Sequence, residues 1–201
     1  MINSFLLSLS LVLVLSAIAM GQEVDVDRYN ITARADTAAG TLDSQATIEL
    51  SNPTDVARSK LYFKLTRLGK VGQITVNGSP AESETTQDHR SQALNQIAIT
   101  LPSTLAPGGH TSVTITYHIQ VADATPIISI YPGEVLLLPE SAWFPSPSSP
   151  FAIYGPNTAP YTLSLSVNSG PSGFTAVSAG TAQSSGSGPN TFTEPLNSIP
   201  L

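Results

Sequence analysis

The sequence predicts an all-β protein, an antiparallel β-sandwich, from three observations. Apolar and polar residues alternate over many short segments, and turns rich in Gly, Pro and Asn separate those segments. No window shows the 3.6-residue period of an amphipathic helix. The clearest alternation runs from Val113 to Val121, where every second residue is apolar. We therefore expect two facing sheets that share one core.

The strands follow from this alternation in chain order. They are predicted over residues 29–35, 46–50, 61–65, 73–76, 97–101, 113–121 and 161–167. Asn77-Gly78 is the strongest hairpin signal in the chain, because both residues tolerate the positive φ of a tight turn. Pro107-Gly108-Gly109 predicts a second turn, directly before the clearest strand.

Eight prolines fall between Pro126 and Pro160, so a regular central strand cannot run through that stretch. Residues 127–131 and 135–138 can still form short edge strands. The only Trp of the chain, Trp143, lies in the same stretch. We interpret it as a plug over the open end of the sandwich. The alternative is an exposed platform for sugars or peptide side chains.

The N-terminus predicts export. Residues 5–19 are apolar or Ser and carry no charge, and they are shorter than the roughly 20 residues that span a bilayer. We therefore expect a signal peptide over residues 1–21, cleavage before Gln22, and a mature domain of residues 22–201 that is secreted or periplasmic. An uncleaved N-terminal anchor is the alternative. After cleavage no membrane span is expected.

Composition excludes several functions. The 8 Lys and Arg against 14 Asp and Glu give a net charge of −6, which argues against nucleic-acid binding. The chain has no Cys, which removes thiol catalysis and thiolate metal sites. Five cations follow one another closely without an acid and could bind an anionic partner. We favour the solvated face of a strand, because two of them alternate with core positions: Arg58, Lys60, Lys64, Arg67 and Lys70.

No catalytic set is recognisable in the sequence. His89, His110 and His118 have no metal-ligand spacing, and we expect them at the surface. A phosphate-cradling Gly loop and a nucleophile elbow in a strand-to-helix context are both missing. We therefore expect no catalytic residue, no metal ligand and no cofactor in this chain.

Several segments follow one another in an informative order over roughly residues 25 to 195, among them Tyr29-Asn-Ile-Thr-Ala-Arg-Ala-Asp36 and Leu61-Tyr-Phe-Lys-Leu65. These two runs resemble the first and third strands of the M1 (gluzincin) family of zinc aminopeptidases, in its secreted bacterial type. The stretch from Ile97 through Leu105-Ala-Pro-Gly108 to Tyr117 is similar to its strand, Leu-x-Pro-Gly, strand pattern. Trp143-Phe-Pro145 resembles the family's Trp-Tyr-Pro loop.

This resemblance implies a saddle-like N-terminal β domain that packs on a thermolysin-like catalytic domain. The Gly-x-Met-Glu-Asn and His-Glu-x-x-His motifs of that catalytic domain do not occur in these 201 residues. We therefore expect the non-catalytic N-terminal domain of a secreted M1-like metallo-aminopeptidase, a fragment that lacks the zinc site and is inactive alone. Its partners would be the zinc-bearing catalytic domain or a peptide substrate.

The resemblance also implies two substrate-binding candidates. The family grips the substrate amine with a Gln or Glu before the aromatic-Pro motif, and Glu140 is the nearest acid here. Trp143 belongs to the motif itself. The alternative function is a stand-alone secreted carbohydrate-binding or adhesion β-sandwich that uses Trp143.

Overall fold

Strands make up nearly all regular structure of the chain. The computed structural model describes residues 24–148, 158–168, 177–183 and 190–198. Besides strands, these residues contain one short 3₁₀ helix, Pro139–Ser141. The strands are β1 Asp25–Asp36, β2 Thr41–Ser51, β3 Arg58–Thr66, β4 Gly69–Val76, β5 Ser79–Pro80, β6 Ser83–Gln87, β7 Leu94–Leu105, β8 His110–Gln120, β9 Ile128–Tyr131, β10 Glu134–Leu137, β11 Ser146–Pro147, β12 Ala159–Asn168, β13 Thr181–Gln183 and β14 Asn190–Ser198.

The larger sheet has eight strands in the order β13-β14-β12-β1-β2-β8-β4-β5. Its pairs are antiparallel except β1 with β12, which run parallel with Tyr29 opposite Tyr161. The sequence predicts an antiparallel sandwich, so this pair is a departure from expectation. Parallel neighbours need a long connection, and here residues 37–158, which build most of the fold, join the two strands.

The smaller sheet has four strands in the order β11-β3-β7-β6 and faces the larger one. Both sheets send apolar side chains into a shared core with almost no exposed surface: from one side Tyr29, Ile31, Ile48 and Ile115, from the other Leu61, Phe63, Ile97 and Ile99. The all-β sandwich predicted from the alternation is confirmed.

Asn52 fixes the corner where the chain passes between the sheets. It is fully buried, and its side-chain amide donates to the carbonyls of Val56 at 2.9 Å and Leu105 at 3.2 Å. Its backbone N–H donates to the Gly109 carbonyl at 3.0 Å. The predicted Pro107–Gly109 turn is therefore not a hairpin within one sheet, since β7 and β8 lie in different sheets.

Two local predictions are confirmed. Asn77 and Gly78 adopt φ values of 50° and 81°, and they join β4 to β5. In the Pro-rich stretch, β9 and β10 pair with each other as a separate two-stranded sheet. Ile128, Ile130 and Leu137 of this hairpin are buried against the core.

The strand β6 has no counterpart in the sequence prediction. All five side chains of β6 are exposed. Its residues are all polar, so the sequence shows no alternation there and predicts a loop. Its backbone pairs with β7 at the edge of the smaller sheet. The predicted signal peptide, residues 1–21, lies outside the described residues. Among those that are described, no helix is both long and apolar enough to cross a membrane.

Candidate functional site

Glu140, predicted to bind substrate, projects from the 3₁₀ turn Pro139–Ser141 with its side chain exposed. A proline suits the first position of such a turn, because its missing N–H would have no partner there. Ala142 ends the turn in the left-handed conformation, with φ 52°. Its carbonyl accepts a hydrogen bond from the Thr66 N–H at 2.8 Å. This bond holds the turn against the end of β3.

A cleft of about 380 Å³ opens beside Glu140. Leu68 and Ile127 line it, and their side chains are 42% and 39% exposed, which is high for large apolar residues. The loops 66–68 and 92–94 complete the wall. Exposed apolar surface with a polar rim marks interaction sites. This cleft combines apolar side chains with one carboxylate, that of Glu140, and one cation, the exposed Arg67.

A buried ion pair lies beneath the loop that borders the cleft. Lys64 on β3 contacts the Asp88 carboxylate, and both side chains are only 1% exposed. The Lys64 ammonium also donates to Gln96 Oε1 at 2.9 Å. Burial lowers the pKa of Lys64, and the Arg90 charge lowers it further. The predicted solvated face of this strand is therefore wrong for Lys64, because the segment after β6 folds over it. Lys60, by contrast, is exposed.

Asp88 also shapes the loop itself. Its Oδ1 accepts hydrogen bonds from the backbone N–H groups of Arg90, at 2.8 Å, and Ser91, at 3.0 Å. The Asp88 N–H donates to the Leu94 carbonyl at 3.0 Å. The Asp88 carboxylate thus fixes the turn and neutralises the buried Lys64. Together with the backbone bond to Leu94, these contacts hold residues 92–94 in the wall of the cleft.

Trp143, the second predicted site residue, has 0% of its surface exposed. Its indole packs edge-on against Phe144 at 5.1 Å between ring centroids, and Phe144 packs edge-on against Tyr29 at 5.5 Å. This agrees with the interpretation as a plug and leaves no exposed ring face to act as a platform. The Trp143 Nε1 and the Tyr29 hydroxyl are buried without a hydrogen-bond partner in the described residues.

The structure does not bring Glu140 and Trp143 to one cavity. Glu140 lines the cleft beside Leu68, whereas Trp143 borders a separate apolar cavity of about 240 Å³ beside Leu163. The sequence reasoning did not single out Leu68 or Ile127, because a single apolar residue in a loop or at the end of a predicted edge strand carries no signal of exposure.

Two histidines pair with carboxylates that the sequence does not place near them. His110 Nδ1 lies 3.0 Å from Asp27 Oδ2, and His118 Nδ1 lies 2.7 Å from Asp43 Oδ1. Strand register creates the second pair, since His118 faces Asp43 across β8 and β2. Within the described ranges, no group of three or more His, Asp or Glu side chains is arranged to hold a metal. These residues do not fit a zinc site.

Comparison with solved structures relates the whole fold to known proteins. The crystal structure of an M1 zinc metallopeptidase from Deinococcus radiodurans matches with a TM-score of 0.61 and 18% identity, over 90% of this chain and 40% of that one. Yeast LTA4 hydrolase in complex with bestatin matches with a TM-score of 0.64 and 11% identity, over 88% of this chain and 27% of that one. No family model and no curated protein matches the sequence.

The resemblance read from the order of the segments is thus confirmed at the level of the fold. The chain spans well under half of the length of the structures that it matches. At sequence identities of 11% and 18%, the similarity shows a shared fold and does not show a shared activity. The chain has the all-β fold of a single region of the M1 zinc metallopeptidases, consistent with their N-terminal domain.

Proposed function

We propose that this chain is the non-catalytic N-terminal β domain of a secreted M1-like zinc metallo-aminopeptidase. It packs against a catalytic domain that follows it in the same gene and walls one side of the substrate cleft. The observation that carries the proposal is the cleft at Glu140, on a fold that matches one region of M1 metallopeptidases over 90% of the chain. In this proposal the zinc site belongs to that catalytic domain.

The exposed pair Leu68 and Ile127 supports the docking step. Large apolar side chains at the surface are stabilised when a partner buries them, and burial of one such side chain contributes roughly 1.5–3 kcal/mol. In this proposal Glu140 lies at the edge of the docked surface and accepts a hydrogen bond from the amine of a peptide substrate. Trp143 acts beneath it as the buried support of the loop.

The test is an affinity measurement between this chain and the catalytic region encoded after codon 201, made as a separate polypeptide. Leu68→Glu and Ile127→Glu place a charge in the docked surface, so each should weaken binding at least about tenfold. Val56→Glu is the matched control, since Val56 is 55% exposed and lies in the β2–β3 loop, outside the cleft. Its affinity should stay within about twofold of the native chain.

A cleft variant that binds as tightly as Val56→Glu would overturn the docking surface. Failure of the native chain to bind the catalytic region at all would overturn the proposed function. Substrate recognition needs a separate readout. Glu140→Gln should raise the KM of the joined protein for an aminoacyl substrate and leave the affinity between the domains unchanged.

A further inference from the structure

Lys64 is a buried amine that touches two different polar side chains. Its ammonium contacts the Asp88 carboxylate, and both side chains are only 1% exposed. It donates a second hydrogen bond to Gln96 Oε1 at 2.9 Å. A primary amine, a carboxyl group and a carboxamide therefore meet beneath the surface. None of the three residues lines the cleft at Glu140.

The fold holds each of these groups in place. Lys64 on β3 lies directly opposite Gln96 on β7 in the smaller sheet. Side chains at directly opposite positions of an antiparallel pair are close enough to touch. Asp88 begins the loop after β6, and backbone N–H groups of that loop bind its Oδ1. Its Oδ2 is the oxygen that contacts Lys64. The amine therefore has a carboxyl group on one side and a carboxamide on the other.

The surroundings of Lys64 favour its reactive form. A lysine is a nucleophile as the neutral amine, and desolvation or a neighbouring cation promotes that form. Both effects act here, because burial lowers the pKa of Lys64 and the Arg90 charge lowers it further. When the ammonium gives its proton to Asp88, the pair becomes a neutral amine and a neutral acid. Burial disfavours the charged forms of both groups, so this proton transfer costs less than it would in water.

We propose that Lys64 and Gln96 form an intramolecular isopeptide bond, with Asp88 as the general acid and base. Lys64 Nζ attacks Gln96 Cδ, and the new C–N bond forms while the bond from Cδ to the Gln96 amide nitrogen breaks. Asp88 gives its proton to the departing nitrogen, which leaves as ammonia, and takes a proton from Lys64 Nζ. Amine and carboxamide thus give a new amide and ammonia, and Asp88 ends as it began. The step needs no oxidant.

The bond joins β3 covalently to β7 in the smaller sheet. It also replaces a buried ammonium with a neutral amide, which removes the cost of keeping that charge out of water. A disulfide cannot do this, since the chain has no Cys. The proposal does not rest on the proposed function, because it concerns groups within this chain.

The experiment is mass spectrometry of the unfolded full chain, followed by protease digestion. The native chain should be lighter than its sequence by one ammonia. Trypsin should not cleave after Lys64, and the digest should contain a branched peptide in which Lys64 is joined to Gln96. The digest is essential, because cyclisation of an N-terminal Gln22 or of Asn77 onto the Gly78 nitrogen also releases ammonia.

Two variants test the roles of the partners. Asp88→Asn keeps the shape of the side chain and removes the acid and base, so the cross-linked fraction should fall at least about tenfold. Gln96→Met removes the carboxamide and should abolish the branched peptide. If either variant does not fold, the mass and the digest of the native chain still decide.

Two matched controls separate the site from general effects. Lys60→Met removes an exposed lysine from the same strand, β3. Gln87→Met removes an exposed glutamine from the neighbouring strand β6. Both should leave the cross-linked fraction unchanged.

The proposal is overturned if the native chain has the full mass of its sequence and trypsin cleaves it after Lys64. It is also overturned if Asp88→Asn or Gln96→Met is cross-linked to the same extent as the native chain. A bond from Lys64 to Asp88, with loss of water, would overturn the assignment of Gln96 as the group attacked. The affinity for the catalytic region is measured separately, so failure here and failure of the proposed function are distinguishable.

Discussion

Replacing Asp88 by Asn is the sharpest perturbation of the loop that borders the cleft. Asn keeps the size of Asp88 and an oxygen for the backbone N–H groups of Arg90 and Ser91, but it removes the charge that faces Lys64. The ammonium is then left buried, and among the described residues Gln96 Oε1 is the acceptor that remains. Removing one partner of a buried ion pair costs about 3–5 kcal/mol, because the other charge stays out of water.

The measurement is unfolding of the full chain by heat and, separately, by urea, followed by the fluorescence of the sole Trp. Since 1 kcal/mol shifts the melting temperature of a domain of this size by about 2–4 °C, Asp88→Asn should lower it by roughly 6–20 °C. The double variant Lys64→Met with Asp88→Asn leaves no buried charge. It should recover at least about 2 kcal/mol of the loss, as buried pairs replaced by neutral side chains usually do.

Asp27→Asn serves as the control for this experiment. Asp27 pairs with His110 at the surface, and the two side chains are 36% and 72% exposed. Exposed pairs contribute about 0–1 kcal/mol, so this variant should unfold close to the native chain. A cost for Asp88→Asn that is no larger than the control, or losses for Lys64→Met and Asp88→Asn that simply add, would refute the buried-pair reasoning.

Two further predictions concern buried groups and backbone conformation. Burial raises the pKa of Tyr29 above the ordinary 10.0. Above pH 10 the folded chain therefore keeps a proton that the unfolded chain loses, and the free energy of unfolding falls as the pH rises. Below pH 10 this contribution to stability is fully present. Tyr29→Phe should flatten the decline of the unfolding free energy above pH 10 by about 1.4 kcal/mol per pH unit, and an unchanged slope in alkaline urea titrations would count against this. Gly40 and Gly108 have nearly equal φ values of 67° and 68°, but a Cβ would lie 2.9 Å from the Val121 carbonyl at Gly40 and meet nothing within 4 Å at Gly108. Gly108→Ala should therefore cost about 1–2 kcal/mol from backbone strain alone, and Gly40→Ala clearly more; equal losses in chemical unfolding would show that the close contact has no effect.

The strands could be predicted wherever one face is buried. In β8 the alternation from Val113 to Tyr117 reflects a core on one side and solvent on the other. The strand β6 escaped prediction because neither of its faces is buried. The parallel pairing of β1 with β12 also escaped it, since local alternation says nothing about which distant strand becomes the neighbour.

The site was less predictable, because its contacts join residues far apart in sequence. The position of Lys64 in β3 was clear, but its burial depends on a loop 24 residues later. His118 meets Asp43 only through the register of β2 and β8. The interpretation of Trp143 as a plug agrees with its full burial, because burying so large an apolar ring is strongly favourable. A role of Glu140 and Trp143 in substrate binding stays a prediction.

The central claim is that this β domain works together with a metallopeptidase catalytic domain. The most direct measurement is the nucleotide sequence beyond codon 201, read in all three frames. The account predicts a Gly-x-Met-Glu-Asn motif followed by His-Glu-x-x-His with a downstream Glu. A downstream sequence with neither motif in any frame would contradict it.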